Sequence, residues 1–465
     1  SQLVSPNISL TIPTYTVTSN SDEYHNFVLP SGISAINYIK EIEVLPGNAS
    51  IVHHVLVFED NTTNPISPSS VGGTGSSASR LLFGFTPGAQ PYYTPVGTGL
   101  KLNANTRIIL QIHYAPGSQG QTDATTINIK TTTMTQRQIF VSFLLNHTTT
   151  ITNGPLYIPA NQTRTFNEQF TVSGAQTFLY AFPHMHLIGK SIESYGTSAS
   201  GATIPIVKIP NWQFHWQDNF VFPNAIKIDS GTTLKAQAYY DNTVNNTENP
   251  NNPPQDVNLG EGTNDEMMLV FFAYMNYQAG DENLIIDKRI IPLGATTFCE
   301  GQSVKLKTIE GVGYSYQWRK DGIAIPSEVN STYIATTSGN YSVSITLGTN
   351  NTISDPIVIT VHPKPIATSS PNGTIQITTG QYVTLTSISG SNYFYQWYKN
   401  DIAIFGATAS SFTTALAGNY YVEVTVNGGC KVKSNIITID TVINDTLVMP
   451  NVFTPNNDGR NDFFV

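Results

Sequence analysis

Short runs in which apolar and polar residues alternate fill the first 290 or so positions of the chain. Leu10-Thr-Ile-Pro-Thr-Tyr-Thr-Val and Ile108-Ile-Leu-Gln-Ile-His-Tyr are examples, and Pro and Gly turns such as Thr86-Pro-Gly separate them. A period of two places one face of a strand against a core. The predicted fold class is all-β, with two tandem jelly-roll-type β-sandwiches over residues 1–135 and 136–294. From Thr297 the chain repeats itself. Tyr314-Ser-Tyr-Gln-Trp-Arg-Lys-Asp returns as Tyr393-Phe-Tyr-Gln-Trp-Tyr-Lys-Asn. Trp318 to Trp397 and Gly339 to Gly418 are each 79 residues apart. A core-type Trp followed by a Gly-x-Tyr strand predicts two immunoglobulin-like sandwiches, 295–363 and 364–441, joined by the stiff His362-Pro-Lys-Pro.

Composition agrees with strands. Thr, Asn, Ser, Tyr and Val dominate, and long Ala/Leu/Glu/Lys runs are absent. Charge narrows the partners. The net charge is -9, from 22 basic and 31 acidic residues, and no Lys/Arg cluster offers a phosphate footprint, so nucleic acid is not an expected partner. No apolar run approaches the roughly 20 residues of a membrane helix, so no transmembrane segment is expected. Ser1-Gln-Leu-Val-Ser-Pro lacks the regions of a signal peptide, which fits either a mature or a cytoplasmic N-terminus, and the Asn/Thr-rich surface favours a mature, exported chain.

The two cysteines, Cys299 and Cys430, both lie beyond the first 298 residues, so any metal in the first two sandwiches must find other ligands. In the repeat register Cys299 aligns with Thr378 and Cys430 with Asn351. Each repeat therefore keeps one half of a first-strand to last-strand pair. No disulfide is expected within either repeat. A 299–430 bond is not expected either, since it would need the repeats to fold back on each other.

Histidines carry the candidate chemistry. Ala181-Phe-Pro-His-Met-His-Leu-Ile-Gly-Lys190 places His184 and His186 two apart, on one face of a strand. Two imidazoles on one face are half of a metal site. Ser50-Ile-Val-His-His-Val-Leu-Val-Phe58 holds His53 and His54, which share a metal only if the strand bulges. His113 lies on an apolar strand, where a lone His is more often a satisfied core residue. Met267 follows two carboxylates at the entry of Met268-Leu-Val-Phe-Phe, where most methionines are core filler. Asn211-Trp-Gln-Phe-His-Trp-Gln217 reads as an aromatic strand, and His215 as packing with a hydrogen-bonded ring.

Taken in order, Val52-His-His-Val, Gln111-Ile-His-Tyr, Pro183-His-Met-His-Leu-Ile-Gly-Lys and Thr263-Asn-Asp-Glu-Met resemble the motifs of the copper type II, ascorbate-dependent monooxygenases. That is the family of peptidylglycine α-hydroxylating monooxygenase and dopamine β-monooxygenase. The resemblance implies two copper ions. His53, His54 and His113 would bind an electron-transfer copper, and His184, His186 and Met267 an oxygen-activating one. The two would face each other across a water-filled cleft and be re-reduced by ascorbate or another one-electron donor. In the peptide-hydroxylating branch an Arg, an Asn and a Tyr hold the substrate carboxylate. The matching positions here are Phe182, Leu269 and Phe271, all apolar. A buried carboxylate without a cationic partner is costly, so the expected substrate is a small or peptide-like molecule that is apolar or neutral.

The last stretch, Met449-Pro-Asn-Val-Phe-Thr-Pro-Asn-Asn-Asp-Gly-Arg, resembles the opening of the Bacteroidetes type IX secretion sorting domain. That implies handling by the type IX machinery and a secreted or cell-surface protein, with residues 442–465 as the start of that domain. The leading expectation is thus a secreted dicopper monooxygenase. The alternatives are a copper-binding or adhesive surface protein without turnover, and a structural adhesin whose histidines bind nothing.

Overall fold

The computed structural model describes residues 3, 5–69, 79–89, 91–426 and 428–442. Among them the protein is all-β, built as four two-sheet sandwiches, with a single 3-10 turn, Asp281–Asn283. The 449–465 stretch read as a sorting signal lies outside the described residues.

The first sandwich pairs a sheet containing Ile8–Thr11, Thr126–Thr132, Asn37–Leu45, Thr98–Leu102 and Arg137–Gln138 with a four-stranded sheet. That second sheet runs Glu23–Pro30, Arg107–Tyr114, Val52–Asp60, Ser79–Phe85. The second sandwich has the orders Phe140–Asn146, Leu269–Asn276, Gln176–His184, Phe220–Ile228 and Thr163–Thr171, Thr233–Asp241, Gly189–Thr197, Thr203–Ile209. Alternation explains the layers: on Thr233–Asp241, Leu234, Ala236, Ala238 and Tyr240 are buried and the residues between them are not. Buried apolar residues of both sandwiches form one continuous cluster, from Ile8 to Ile286. The two therefore share a core, and their inner sheets approach each other where Ser79–Phe85 lies against Phe140–Asn146.

The repeats have separate cores around Trp318 and Trp397, both fully buried. Their indole N–H groups donate to Asn330 O and Ala409 O, at 2.8 and 3.0 Å. Tyr341 and Tyr420 hydroxyls donate to Thr337 O and Leu416 O, both at 2.9 Å. Every one of these positions keeps the repeat offset.

Cys299 and Cys430 are bonded to each other, against the sequence expectation. No fold-back is needed. Cys299 ends a strand that runs beside Ile357–His362, opposite His362. The chain enters the second repeat from there. The hairpin turn before Cys430 packs on His362, and the Cys430 Sγ lies 3.8 Å from His362 O. The end of one repeat thus meets a turn of the next, and repeat register alone could not show which ends abut.

One buried group makes stability pH-dependent. Glu168, on Thr163–Thr171, is 1% exposed, and among the described residues neither carboxyl oxygen has a hydrogen-bond partner. Burial pushes its pKa up to about 8. A folded pKa above the unfolded value gives stability that is fully present below the unfolded pKa and is lost as pH rises towards about 8. Glu168→Gln is expected to melt about 4 °C or more above wild type at pH 8.5 and close to it at pH 4. Equal differences at both pH values, read by thermal denaturation, would refute this.

Candidate metal centre

His53, His54 and His113 come together because their strand does bulge. Val52 pairs with Tyr114 and His54 with His113, leaving His53 as the extra residue. The Nδ1 atoms of His53 and His113 lie 3.3 and 3.4 Å from His54 Nδ1. One ring nitrogen from each of the three lies within 4.8 Å of the others. Desolvation holds the pKa of His53 down to about 3 and that of His54 well below its ordinary value, with the neighbouring imidazoles adding to the shift. Neutral imidazole is the ligand form.

Asp22, which the sequence reading did not single out, orients this set. Its Oδ1 accepts from His113 Nε2–H at 2.7 Å, so Nδ1 is the His113 ring atom that faces His54. The same carboxylate accepts from Thr263 Oγ1 at 2.6 Å and Thr263 N–H at 3.0 Å. Burial opposes ionisation of Asp22, but the bonds from His113 and Thr263 outweigh it and hold its pKa down to about 2. Tyr24 stacks on His113 at 4.2 Å and donates its hydroxyl to Glu261 O at 2.5 Å. Asp22 and Tyr24 both tie the first sandwich to the 261–267 loop of the second.

His184 and His186 also converge, with ring centroids 5.1 Å apart. They do not do so by alternating along a strand, as expected. The strand Gln176–His184 stops at His184, and His186 sits in the turn beyond it. Buried Glu266 shapes that turn by accepting from the backbone N–H groups of His186, Ile188 and Met267 at 3.0, 2.9 and 3.1 Å. Each imidazole uses Nδ1 as a donor. His184 Nδ1–H donates to Gln217 Oε1 at 2.7 Å, and His186 Nδ1–H to Asp265 O at 3.0 Å. Gln217 Nε2 donates to Phe214 O, which leaves Oε1 as the acceptor. The Nε2 lone pairs of both histidines are therefore free for a ligand. Met267 is 7% exposed and lines the same cavity as His184 and His186.

Residues 211–217 form a loop and not the aromatic strand expected. Its polar anchors explain this. Trp212 Nε1 donates to His186 O at 3.1 Å, and Gln217 O accepts from Thr86 Oγ1 at 2.7 Å. Phe214 stacks on His53 at 4.6 Å and stands edge-on to His186 at 5.7 Å. His215 is exposed beside Phe214, with no hydrogen bond to its ring among the described residues, against the expected satisfied ring.

Between the sandwiches lies a cavity of about 540 Å³, lined by His54, His184, His186, Met267 and, on one wall, Phe182, Leu269 and Phe271. Phe182 and Phe271 are cross-strand partners with rings 5.9 Å apart, and His184 lies opposite Leu269. The two histidine sets are close: the rings of His54 and His184 are 6.2 Å apart.

No family model matches the chain, and no curated protein does. Solved structures similar to it include a chimeric titin Z1Z2-Z1Z2 tandem carrying a GRGDS peptide from fibronectin, at 15% identity and a TM-score of 0.17, covering 33% of this chain and all of that one. Murine CEACAM1b is 16% identical with a TM-score of 0.21, over 33% of this chain and all of that one. Sidekick-1 immunoglobulin domains are 14% identical with a TM-score of 0.16, over 34% of this chain and 38% of that one.

Proposed function

We propose that this chain is an exported dicopper monooxygenase that hydroxylates a small, apolar or neutral molecule, drawing electrons from a one-electron reductant such as ascorbate. The observation that carries the reading is the placement of the ring nitrogens. Asp22, Gln217 and the Asp265 carbonyl each engage one nitrogen of a histidine and leave the other available to its set. Core histidines satisfied by packing would not need this arrangement twice, on facing sheets. The donor set fits copper: imidazoles suit both oxidation states and the Met267 thioether is soft, whereas zinc sites favour thiolate, imidazole and carboxylate. Copper bound at both sets would supply the one-electron redox and dioxygen chemistry that side chains lack.

The chain's own residues do the rest. Asp22 and Gln217 fix the ligand rings. Phe182, Leu269 and Phe271 make an apolar wall that holds hydrocarbon beside His184 and Met267. Phe214 shields His53 and His186 from water. The rings of His54 and His184 lie 6.2 Å apart, so one-electron transfer between copper ions held by the two sets would have a short path. The Cys299–Cys430 bond supports an oxidising compartment, as export by a type IX signal in residues 449–465 would require. The test is copper stoichiometry on protein reconstituted with excess metal, together with ascorbate-driven oxygen uptake across a panel of candidate substrates. Two coppers per chain with substrate-dependent uptake is the expected result. Copper without uptake on any substrate would favour the binding protein, and no copper would overturn the assignment.

A further inference from the structure

The cavity wall holds a ring edge, Nε2 of His147, that neither the fold nor a metal set uses. His147 follows the strand Phe140–Asn146. The Asn146 side chain builds the turn there, its Oδ1 accepting from Thr148 N–H at 3.1 Å and Thr149 N–H at 2.8 Å. The turn presses the His147 ring edge against Met268. His147 N–H donates to Met268 O at 3.0 Å, and Met268 N–H lies 3.0 Å from His147 Nδ1. Nδ1 also lies 3.1 Å from Met268 O, but that carbonyl already accepts from His147 N–H, whereas the Met268 N–H has no other acceptor among the described residues, so Nδ1 takes the hydrogen bond of the N–H. The proton of the neutral ring is then on Nε2. Burial keeps the ring neutral, with its pKa down at about 4. His147 lines the cavity beside Phe143, Phe182, Leu269 and Phe271, and among the described residues its Nε2–H has no partner.

We propose that His147 is the specificity group of this cavity: its Nε2–H donates to a carbonyl or amide oxygen of a neutral substrate whose alkyl or aryl part lies on Phe182, Leu269 and Phe271. This rests on the monooxygenase reading for the word substrate, but binding can be read without turnover. Charge selects for neutrality. Among the described residues the cavity is lined by no Lys or Arg, so an anion meets no cationic side chain, and by one carboxylate, Glu261, which burial pushes up to about 7 and leaves a poor counter-charge for a cation. Ser79 Oγ, on the first sandwich's side of the cavity, also lacks a partner among the described residues and is the second place a polar atom of the ligand would reach.

The experiment is calorimetric titration of the full chain, copper content measured in each sample, with phenylacetamide, phenylacetate, phenethylamine and ethylbenzene. Wild type is expected to bind phenylacetamide at least tenfold more tightly than each of the other three. His147→Leu is expected to erase the preference over ethylbenzene. His147→Gln, whose amide can accept from Met268 N–H and still donate, is expected to restore it. Ethylbenzene, phenylacetate or phenethylamine binding wild type as tightly as the amide would overturn the proposal, whether or not the Leu variant folds. So would an unchanged preference in a folded His147→Leu. The preference without oxygen uptake would leave this ligand class standing and sink the oxygenase. Uptake on substrates without any acceptor, with no preference for the amide, would do the reverse.

Discussion

Met267→Leu is expected to abolish reductant-driven oxygen uptake while leaving the fold and the first histidine set intact. The side chain is 7% exposed at the start of a core strand, so its sulfur and its packing must be separated. Met267→Ala removes both and would cost about 2–5 kcal/mol by cavity formation alone. Leucine is close in volume, and such swaps cost less than about 1.5 kcal/mol. It removes only the thioether, the soft ligand that favours Cu(I). Copper stoichiometry should fall from two towards one per chain, with the remaining ion at His53, His54 and His113. Uptake should fall at least 100-fold, with a melting temperature within about 4 °C of wild type. A Leu variant that keeps near-normal uptake would return Met267 to its ordinary role as core filler. The His184–His186 pair would then be the whole second site.

Asp22→Ala should weaken both sets at once. The carboxylate accepts three hydrogen bonds: one from His113 Nε2 and two from Thr263. Removing it frees the His113 ring to rotate and to change tautomer. Loss of such a partner typically costs 10- to 100-fold in metal affinity, about 1.4–2.7 kcal/mol. It also releases the loop that carries Asp265, whose carbonyl takes the His186 Nδ1 proton, and Met267. Thr263→Val separates the two effects, because it spares the Asp22–His113 bond. Copper affinity at the first set, measured by competition with a chelator, should fall in Asp22→Ala. It should stay within about threefold of wild type in Thr263→Val. Oxygen uptake at saturating copper should fall in both. First-set affinity unchanged by Asp22→Ala would mean that packing against Tyr24 orients His113 unaided.

The residues that line the two candidate sets were legible because their types are rare and their order is specific. Six positions, His53, His54, His113, His184, His186 and Met267, could be named from four short motifs. The structure brings the first three together and places the second three on one cavity. The bulge at His53 was also legible, because two adjacent strand residues cannot otherwise share a face. The residues that orient the ligands were not. Asp22 sits 91 residues from His113 and Gln217 sits 33 from His184. A single Asp or Gln in an Asn/Thr-rich chain carries no local mark. The Trp212–Gln217 segment misled because its aromatic alternation is that of a strand, while its anchors are a backbone carbonyl and a threonine hydroxyl elsewhere in the fold. His147 was invisible for the same reason. Its tautomer is dictated by the Met268 N–H, 121 residues away.

By itself the sequence determined the all-β class, the repeat and which residue types could act as ligands, since these depend on side-chain period and on chemistry carried within a few residues. Only the tertiary structure decided where His186 points, which ends of the repeats meet at Cys299–Cys430, and how near the two histidine sets come. Those depend on contacts between elements far apart in the chain: Glu266 gathering the N–H groups of a turn, and His362 set between two cysteines. They depend too on Asp22 reaching from one sandwich to the other. Such contacts form only when burial has already brought their partners together. No period or motif along the chain records them.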